Sequence, residues 1–422
     1  MSGTEPTVPG PKGDEPFVFT PAGAPLSTLW PGSRPGWPPG AKRTKRSVSS
    51  RSARALAWLI AFAVVVGAVV GVAAHEASGF FLFSPGTAPL ITADPACKAS
   101  FGQLALPDGT PCVRLEVPQK SAHKLDGGLF MVDVEVSQAG ALDWLAYQFG
   151  LLGGDHELVP VSDYSPGTPT SELACQDTQQ MASADQDAAL AAMAVLGYHV
   201  GEVPLGAQVD TVYAATPAWK AGIQCNDLVT AVNGRRVRTA QQLTNVMSSL
   251  RPGTAVVLTV SAGGKPRRVS LRLEKPPASA FAQGFRGKGY MGVAVQTRVK
   301  LQLPFPVSVN AGEIGGPSAG LAFTLAILDT LSNGRLTGGY RVAATGTIDP
   351  LGNVGDVGGV REKTVAVEKA GAQVFFVPQG EYQDARSEAR GGLAVVPVTS
   401  LRQVLQVLHE RYGGDLSGLK EK

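Results

Sequence analysis

The sequence has few charged residues, few histidines and none of the common metal-binding spacings. Only 17% of its 422 residues are charged, and the formal net charge of +3 argues against nucleic acid as a partner. The five histidines form neither an HExxH motif nor a recognisable Ser/His/Asp arrangement, and no CxxC or Cys/His spacing indicates zinc. The sequence therefore predicts no metal and no cofactor.

A phosphate-binding loop is also absent. No GxxxxGK[ST] segment occurs, because Gly264-Lys265 and Gly287-Lys288 both lack the required earlier glycine. An ATP-driven reaction is therefore not expected. Apolar residues make up 44% of the chain, enough for several packed cores, and its length is typical of two or three domains of about 150 residues each.

The N-terminal part of the chain predicts a tail and a membrane anchor. Residues 1–53 are rich in proline and glycine and show no apolar periodicity, which predicts a disordered tail. Residues 55–74 carry no charge, and about 20 helical residues span about 30 Å, the thickness of a bilayer core. We therefore expect a transmembrane helix at residues 54–75.

The charges that flank this helix predict its orientation. Lysines and arginines precede it, so the positive-inside rule makes the tail cytoplasmic and the rest of the chain extracytoplasmic. A cleaved signal peptide is the alternative, although its apolar region usually has only about 7–15 residues. A buried core helix is the third interpretation.

All four cysteines follow the predicted anchor. Cys97 and Cys112 flank a Pro-Asp-Gly loop and are the first candidate pair in an oxidising compartment. The alternative is four unpaired thiols, and Cys225 is expected to be unpaired. The pattern of residues 76–200 predicts a linker and an N-terminal α/β segment. Within it we expect a strand over 129–136 and a helix over 182–196.

Residues 201–276 alternate short strands, turns and helices. A strand over 207–212, a short helix over 217–222, an Asn-Gly turn at 233–234 and a hairpin around 263–265 follow in order. This segment resembles a PDZ domain of the bacterial protease-associated type, most specifically over 216–237. The resemblance implies binding of extended peptides beside a groove, with a carboxylate-binding loop near residues 201–206. The alternative is a domain that only packs against its neighbour.

Lys363 lies on the apolar side of a predicted helix. At about 100° per residue, Val360, Ala366 and Val367 fall on the same side as Lys363, whereas Glu362 falls on the polar side. An ammonium in apolar surroundings loses solvation, so its pKa falls and the neutral amine becomes a general base. The ordinary alternative is a lysine that extends along the helix surface into solvent.

A candidate nucleophile precedes this lysine in the chain. In the segment from Gly315 to Gly320, Pro317 suits the first helical position and Ser318 begins an apolar helix that runs to about residue 331. Unpaired amides at a helix start can bind the oxyanion that forms when a serine attacks a carbonyl. An ordinary capping serine is the alternative interpretation.

These segments together resemble the proteolytic domain of Lon proteases, the Ser–Lys peptidase family, over about residues 285–410. The Gly316-Pro317-Ser318 motif and the GGVREK segment carry the resemblance. It implies that Ser318 is the nucleophile, that Lys363 is the base and that Thr345 helps to orient the lysine. The chain departs from the family pattern at two positions, with Gly315 where many members have Asp and Thr347 where many have Glu. Glu313 is the nearest carboxylate.

The sequence thus predicts an α/β (α+β) Lon-type proteolytic domain at residues 277–412, a mainly-β PDZ domain at 201–276, and a short tail at 413–422. This order resembles the membrane-anchored, PDZ-containing Lon-like proteins. It implies an ATP-independent serine endopeptidase that cleaves unfolded or extended segments of extracytoplasmic proteins, with the PDZ domain recruiting or gating substrate. Alternatives are an envelope scaffold with a vestigial protease fold, and a lipid or amide hydrolase with the same dyad. Related domains often form rings, so a homo-oligomer is a further expectation.

Overall fold

The computed structural model describes residues 50–100, 103–118, 127–164, 170–278, 286–312, 314–332 and 334–419. The predicted tail lies outside the described residues up to position 49, as do Glu313 and residues 420–422. The chain divides into two compact units, residues 1–62 and 63–422. The described part of the first unit is helical.

Ten α-helices occur in the described residues: α1 Ser50–Ala77, α2 Ala141–Gln148, α3 Val161–Tyr164, α4 Thr170–Val195, α5 Pro217–Lys220, α6 Ala240–Ser248, α7 Gly320–Leu331, α8 Val360–Lys369, α9 Tyr382–Glu388 and α10 Leu401–Tyr412. Twenty strands accompany them: β1 Phe80–Pro85, β2 Leu90–Thr92, β3 Lys98–Ser100, β4 Gln103–Ala105, β5 Cys112–Glu116, β6 Gly128–Phe130, β7 Val134–Gln138, β8 Glu157–Pro160, β9 Gly201–Val212, β10 Leu228–Val232, β11 Arg235–Arg236, β12 Ala255–Ala262, β13 Lys265–Arg272, β14 Val293–Gln302, β15 Ser308–Asn310, β16 Arg341–Ala344, β17 Thr347–Ile348, β18 Val354–Gly355, β19 Val374–Pro378 and β20 Ala394–Val398.

A seven-stranded sheet, in the order β15-β5-β2-β6-β16-β19-β20, forms the centre of the part that contains most of the predicted proteolytic domain. Strand β16 pairs in parallel with β6 and β19, and β19 pairs in parallel with β20. Strands β2, β5 and β6 come from the segment before residue 200, so this sheet combines chain from both sides of the PDZ segment. The predicted strand over 129–136 is therefore divided, because β6 joins this sheet whereas β7 pairs with β1 in another.

Helices cover both faces of this sheet, as the burial of β19 shows. All five residues of β19 are buried, as expected of a parallel strand between two layers. Val374 and Phe376 pack into the core that contains α7, whereas Phe375 and Val377 pack into the core that contains Ala366 of α8. The helices that carry Ser318 and Lys363 therefore approach the site from opposite faces of one sheet.

The predicted PDZ domain contains a separate sheet in the order β13-β12-β10-β9-β14, with β11 paired to β10. The predicted carboxylate-binding loop at 201–206 is wrong, since these residues belong to strand β9, with a register shift near Leu205. Strand β14, which the sequence assigns to the proteolytic side of the boundary, pairs antiparallel with the whole of β9. Strand β14 is an edge of this sheet among the described residues.

Two disulfides join distant parts of the chain. Cys97–Cys112 is the pair that the sequence favours. The expectation that Cys225 is unpaired is wrong, because Cys225 is bonded to Cys175. This second bridge joins α4 to the loop before β10, and the sequence gives no indication of it because the two cysteines are 50 residues apart.

Candidate active site and peptide groove

Ser318 lies in a tight turn immediately before α7. Pro317–Ala319 form one turn of 3₁₀-helix, and the α-helix begins only at Gly320. Gly316, which precedes the turn, has φ 88°, a conformation that glycine adopts without strain. The Ser318 side chain is partly exposed and faces a cleft of about 760 Å³. The turn therefore presents the hydroxyl to an open cleft from a rigid helix start.

Contacts with the segment after β16 hold this turn in place. The Ser318 carbonyl oxygen accepts hydrogen bonds from Gly346 N–H at 2.9 Å and from Thr345 Oγ1 at 3.3 Å. A Cβ on Gly320 would lie 2.9 Å from Ile348 Cγ2, so only glycine permits this approach. Thr345 is fully buried, and its hydrogen bond goes to the serine backbone.

Helix α4 also contacts the turn that carries Ser318, a contact that the sequence did not indicate. Gly316 N–H donates to the carbonyl oxygen of Asp177 at 3.0 Å. A Cβ on Gly315 would lie 2.9 Å from the Asp177 Cβ, so a glycine at position 315 allows α4 to pack closely. This is one of the two positions at which the sequence departs from the family pattern. No local sequence signal connects positions 177 and 316.

Lys363 is buried, as the helical pattern predicts. Its exposure is 2%, and it lines the same cleft as Ser318. Burial lowers the pKa of the Lys363 ammonium to about 8, and the negative charges of Glu381, Asp133 and Glu362 oppose this shift. Among the described residues, no carboxylate forms a direct ion pair with Lys363. An amine in this setting exchanges its proton near neutral pH.

The negative charges of three carboxylates act on the pKa of Lys363, and sequence reasoning missed this role. Glu381 Oε1 accepts a hydrogen bond from Val357 N–H at 2.7 Å, and burial raises the pKa of Glu381 to about 7. Asp133 accepts hydrogen bonds from the backbone and hydroxyl of Thr87, and burial raises its pKa. The prediction that Glu362 lies on the polar side of α8 is wrong, because Glu362 is 1% exposed.

These residues meet at one end of the central sheet. Asp133 follows β6, Thr345 follows β16 and Glu381 follows β19, and these three strands are parallel neighbours. Residues that follow parallel strands lie at the same edge of a sheet, which is where α/β proteins usually place their sites. The separate carboxylates therefore converge through topology that single-sequence patterns do not contain.

A second groove lies between α6 and the edge strand β14. Its volume is about 820 Å³, and its lining includes Leu243, Thr244 and Met247 of α6. The segment Gly289-Tyr290-Met291-Gly292-Val293 forms its end, where β14 begins. Among the described residues, the N–H groups of Met291 and Gly292 have no hydrogen-bond acceptor, whereas their carbonyl oxygens accept from Ala218 and Tyr213. The groove thus has a helix on one side, a strand edge on the other and two amides without an acceptor among the described residues at its end. These are features of sites to which an extended peptide adds as a strand.

Two known domain families match this chain. The PDZ domain family matches residues 194–273, and the C-terminal proteolytic domain of Lon protease (S16) matches residues 298–411. A Lon protease of Mycoplasmopsis agalactiae is 31% identical over 110 residues, which are 25% of this chain and 11% of that protein. A probable periplasmic serine endoprotease DegP-like of Chlamydia muridarum is 36% identical over 118 residues, which are 25% of this chain and 23% of that protein.

Among solved structures, the PDZ domain of an SdrC-like protein from Listeria monocytogenes is similar to this chain at 20% identity and a TM-score of 0.19, covering 22% of this chain and 87% of that one. This chain spans only 11% and 23% of the length of the two curated relatives described above. The matches are thus to separate segments. The chain contains a PDZ domain followed by a Lon-type C-terminal proteolytic domain.

Proposed function

We propose that this chain is a membrane-anchored, ATP-independent serine endopeptidase in which Ser318 is the nucleophile and Lys363 the general base. The observation that carries the proposal is the shared cleft. Ser318 and Lys363 both line it, and Lys363 is nearly fully buried with its pKa lowered to about 8. A buried amine with no direct ion pair to any described residue has no evident structural purpose, whereas a general base beside a serine requires low solvation.

In the proposed reaction, the neutral Lys363 amine takes the Ser318 hydroxyl proton as the oxygen attacks a peptide carbonyl. Gly316 N–H is occupied by Asp177 and Pro317 has no N–H, so we assign the oxyanion to the Ser318 amide. The Lys363 ammonium then returns the proton to the leaving amine, and an acyl-enzyme remains. Water hydrolyses this ester through the same base and restores the serine.

The cleft favours extended substrates. A volume of about 760 Å³ with an open mouth accommodates a short stretch of unfolded chain rather than a folded domain. The sequence contains no P-loop to drive unfolding. We therefore infer that the substrates are unfolded, extended or loop segments of proteins.

We propose that the PDZ domain binds a free peptide C-terminus in the groove between α6 and β14 and recruits or gates substrates. Within the part of the chain that the structure describes, the Met291 and Gly292 amides have no acceptor and suit a carboxylate, and β14 is an edge to which a strand can be added. Helix α4 connects the PDZ domain to the turn that carries Ser318. It is bonded to the PDZ domain through Cys175–Cys225 and to the nucleophile turn through Asp177.

Helix α1 supports the membrane anchor. Residues Trp58–Ala77 are long and apolar enough to cross a bilayer. Most of their side chains are exposed, which is not typical of a core helix and would be unfavourable in water. With the basic residues before the helix, we propose a cytoplasmic N-terminus and an extracytoplasmic catalytic domain.

The test is direct cleavage by the full chain in detergent or nanodiscs, with unfolded casein and a short fluorogenic peptide. Ser318→Ala and Lys363→Arg should each reduce cleavage by at least about a thousandfold. The first variant removes the hydroxyl nucleophile, and the second replaces the base with an arginine, which stays charged. Lys369→Arg, at an exposed lysine of the same helix, is the matched control and should keep full activity. Peptide binding without any cleavage by the unmodified chain would instead favour the scaffold function.

A further inference from the structure

Helix α2 and the turn after it expose an unusual amount of apolar surface. Leu142, Tyr147, Phe149 and Leu151 are 76%, 40%, 74% and 77% exposed. We refer to these four residues as the α2 patch. Among the described residues after α1, no other stretch of similar length exposes as many large apolar side chains. Exposed apolar residues that occur singly need no explanation, but such a cluster indicates a contact surface.

The helix is apolar on two opposite sides, and only one of them is covered. Trp144 packs against the small core formed by Ala77, Leu82 and Ala139. Leu142 and Phe149 are two turns apart, so they project together from the side opposite Trp144. A surface helix usually places polar residues on its outer side. The outer side of α2 reverses this pattern, which is typical of a contact surface.

Helix α2 begins beside the point where the chain leaves α1. Ala139 N–H donates to the Phe80 carbonyl oxygen at 3.1 Å, and Gln138 Nε2 donates to the Ser78 carbonyl oxygen at 3.1 Å. Ala77, the last residue of α1, is fully buried in the same core as Ala139. Because an eight-residue helix is about 12 Å long, the whole patch lies close to the end of α1.

We propose that the α2 patch inserts into the interfacial layer of the bilayer that α1 spans. The proposal depends on the membrane anchor proposed above. The interfacial layer extends about 5–8 Å beyond the hydrocarbon core on each side, which is where the residues just after α1 must lie. Aromatic and leucine side chains are the residues that favour this layer.

The charge pattern indicates which lipid chemistry is involved. No lysine or arginine occurs between positions 125 and 219, so attraction to anionic headgroups does not drive the contact. The one acidic residue of α2, Asp143, accepts a hydrogen bond from Gly140 N–H and caps the helix. Binding therefore depends on apolar burial, and neutral phosphatidylcholine should be sufficient at any ionic strength.

The contact would hold the catalytic cleft near the membrane. Strand β7 connects the two, because Val134 at its start lines the cleft and α2 follows its end. Five strand residues span about 17 Å, so the cleft opens within a few tens of ångströms of the lipid surface. This placement favours substrates whose extended segments lie close to the membrane.

The experiment uses the full chain in phosphatidylcholine vesicles with and without lipid brominated on its acyl chains, which quenches tryptophan at short range. Leu142→Trp adds a tryptophan to the α2 patch. The emission of this tryptophan is obtained by subtracting the emission of the unmodified protein from that of the variant. Leu351→Trp, at a leucine that is 88% exposed, is the matched control. Trp58, within the predicted span, reports on the anchor through comparison with Trp58→Phe.

We expect the added emission of Leu142→Trp to fall severalfold in brominated lipid, equally at low and high salt, and that of Leu351→Trp to be unchanged. Quenching of Trp58 without quenching in Leu142→Trp would overturn this inference and leave the anchor standing. Unquenched Trp58 would remove the anchor and this inference together. Equal quenching of both leucine variants would overturn the inference in favour of general adsorption to the lipid. Quenching of Leu142→Trp that changes with protein concentration would overturn it in favour of a contact with a second copy of the chain.

Discussion

The lowered pKa of Lys363 makes the pH dependence of cleavage the most informative measurement. With a pKa of about 8, roughly a tenth of Lys363 is neutral at pH 7 and roughly nine-tenths at pH 9. Because only the neutral amine can accept the Ser318 proton, kcat/KM should rise about tenfold between these pH values and then level off. An ordinary lysine would keep the rate rising beyond pH 10.

The lowered pKa of Lys363 also makes the free energy of unfolding depend on pH, and the Lys363→Met variant can test this dependence. The folded pKa lies below the unfolded value of 10.5, so between pH 8 and 10.5 the unfolded chain binds the extra proton. Stability therefore rises with pH through this window, and below pH 8 the buried ammonium costs about 3 kcal/mol. Lys363→Met should thus raise the melting temperature at pH 7, by an amount that shrinks toward pH 10.5.

Thermal unfolding of the detergent-solubilised full chain across this pH range measures the effect, and Lys369→Met is the matched control for loss of an exposed lysine. A kcat/KM that is flat from pH 7 to 9 would refute Lys363 as the base. A Lys363→Met variant that is less stable than the unmodified protein at every pH would refute the argument from burial.

Three further changes test the surroundings of the proposed dyad and the PDZ domain. Glu381→Gln keeps an acceptor for Val357 N–H but removes a negative charge near Lys363, so the midpoint of the pH–rate profile should move to lower pH; an unchanged midpoint would exclude this coupling. Thr244→Trp should fill the PDZ groove and slow casein cleavage while short-peptide cleavage stays normal, and equal loss on both substrates would contradict recruitment. Replacing Cys175 and Cys225 by serine should lower the unfolding free energy by about 2–4 kcal/mol, measured by denaturant titration, and an unchanged value would show that the bridge is not stabilising.

Local patterns in the sequence were sufficient for many elements of the fold. The helix over 360–369 and the buried position of Lys363 follow from a period of 3.6 residues, which depends only on neighbours in the chain. Helix α7 follows from its continuous apolar run, although its first turn is 3₁₀ rather than α. The PDZ hairpin β12–β13 follows from the glycines at 263–264.

The carboxylates around Lys363 required the tertiary structure, because β6, β16 and β19 bring Asp133 and Glu381 to Lys363 from segments far apart in sequence. The same holds for the edge strand β14, whose pairing with β9 places the groove that we propose binds peptide at the end of the PDZ segment. The sequence by itself determined which residues carry reactive groups and that Lys363 lies on the apolar side of its helix, since those depend on composition and short periods. Only the folded chain decided which charges, amides and apolar faces meet, because contacts between distant segments depend on strand order and packing.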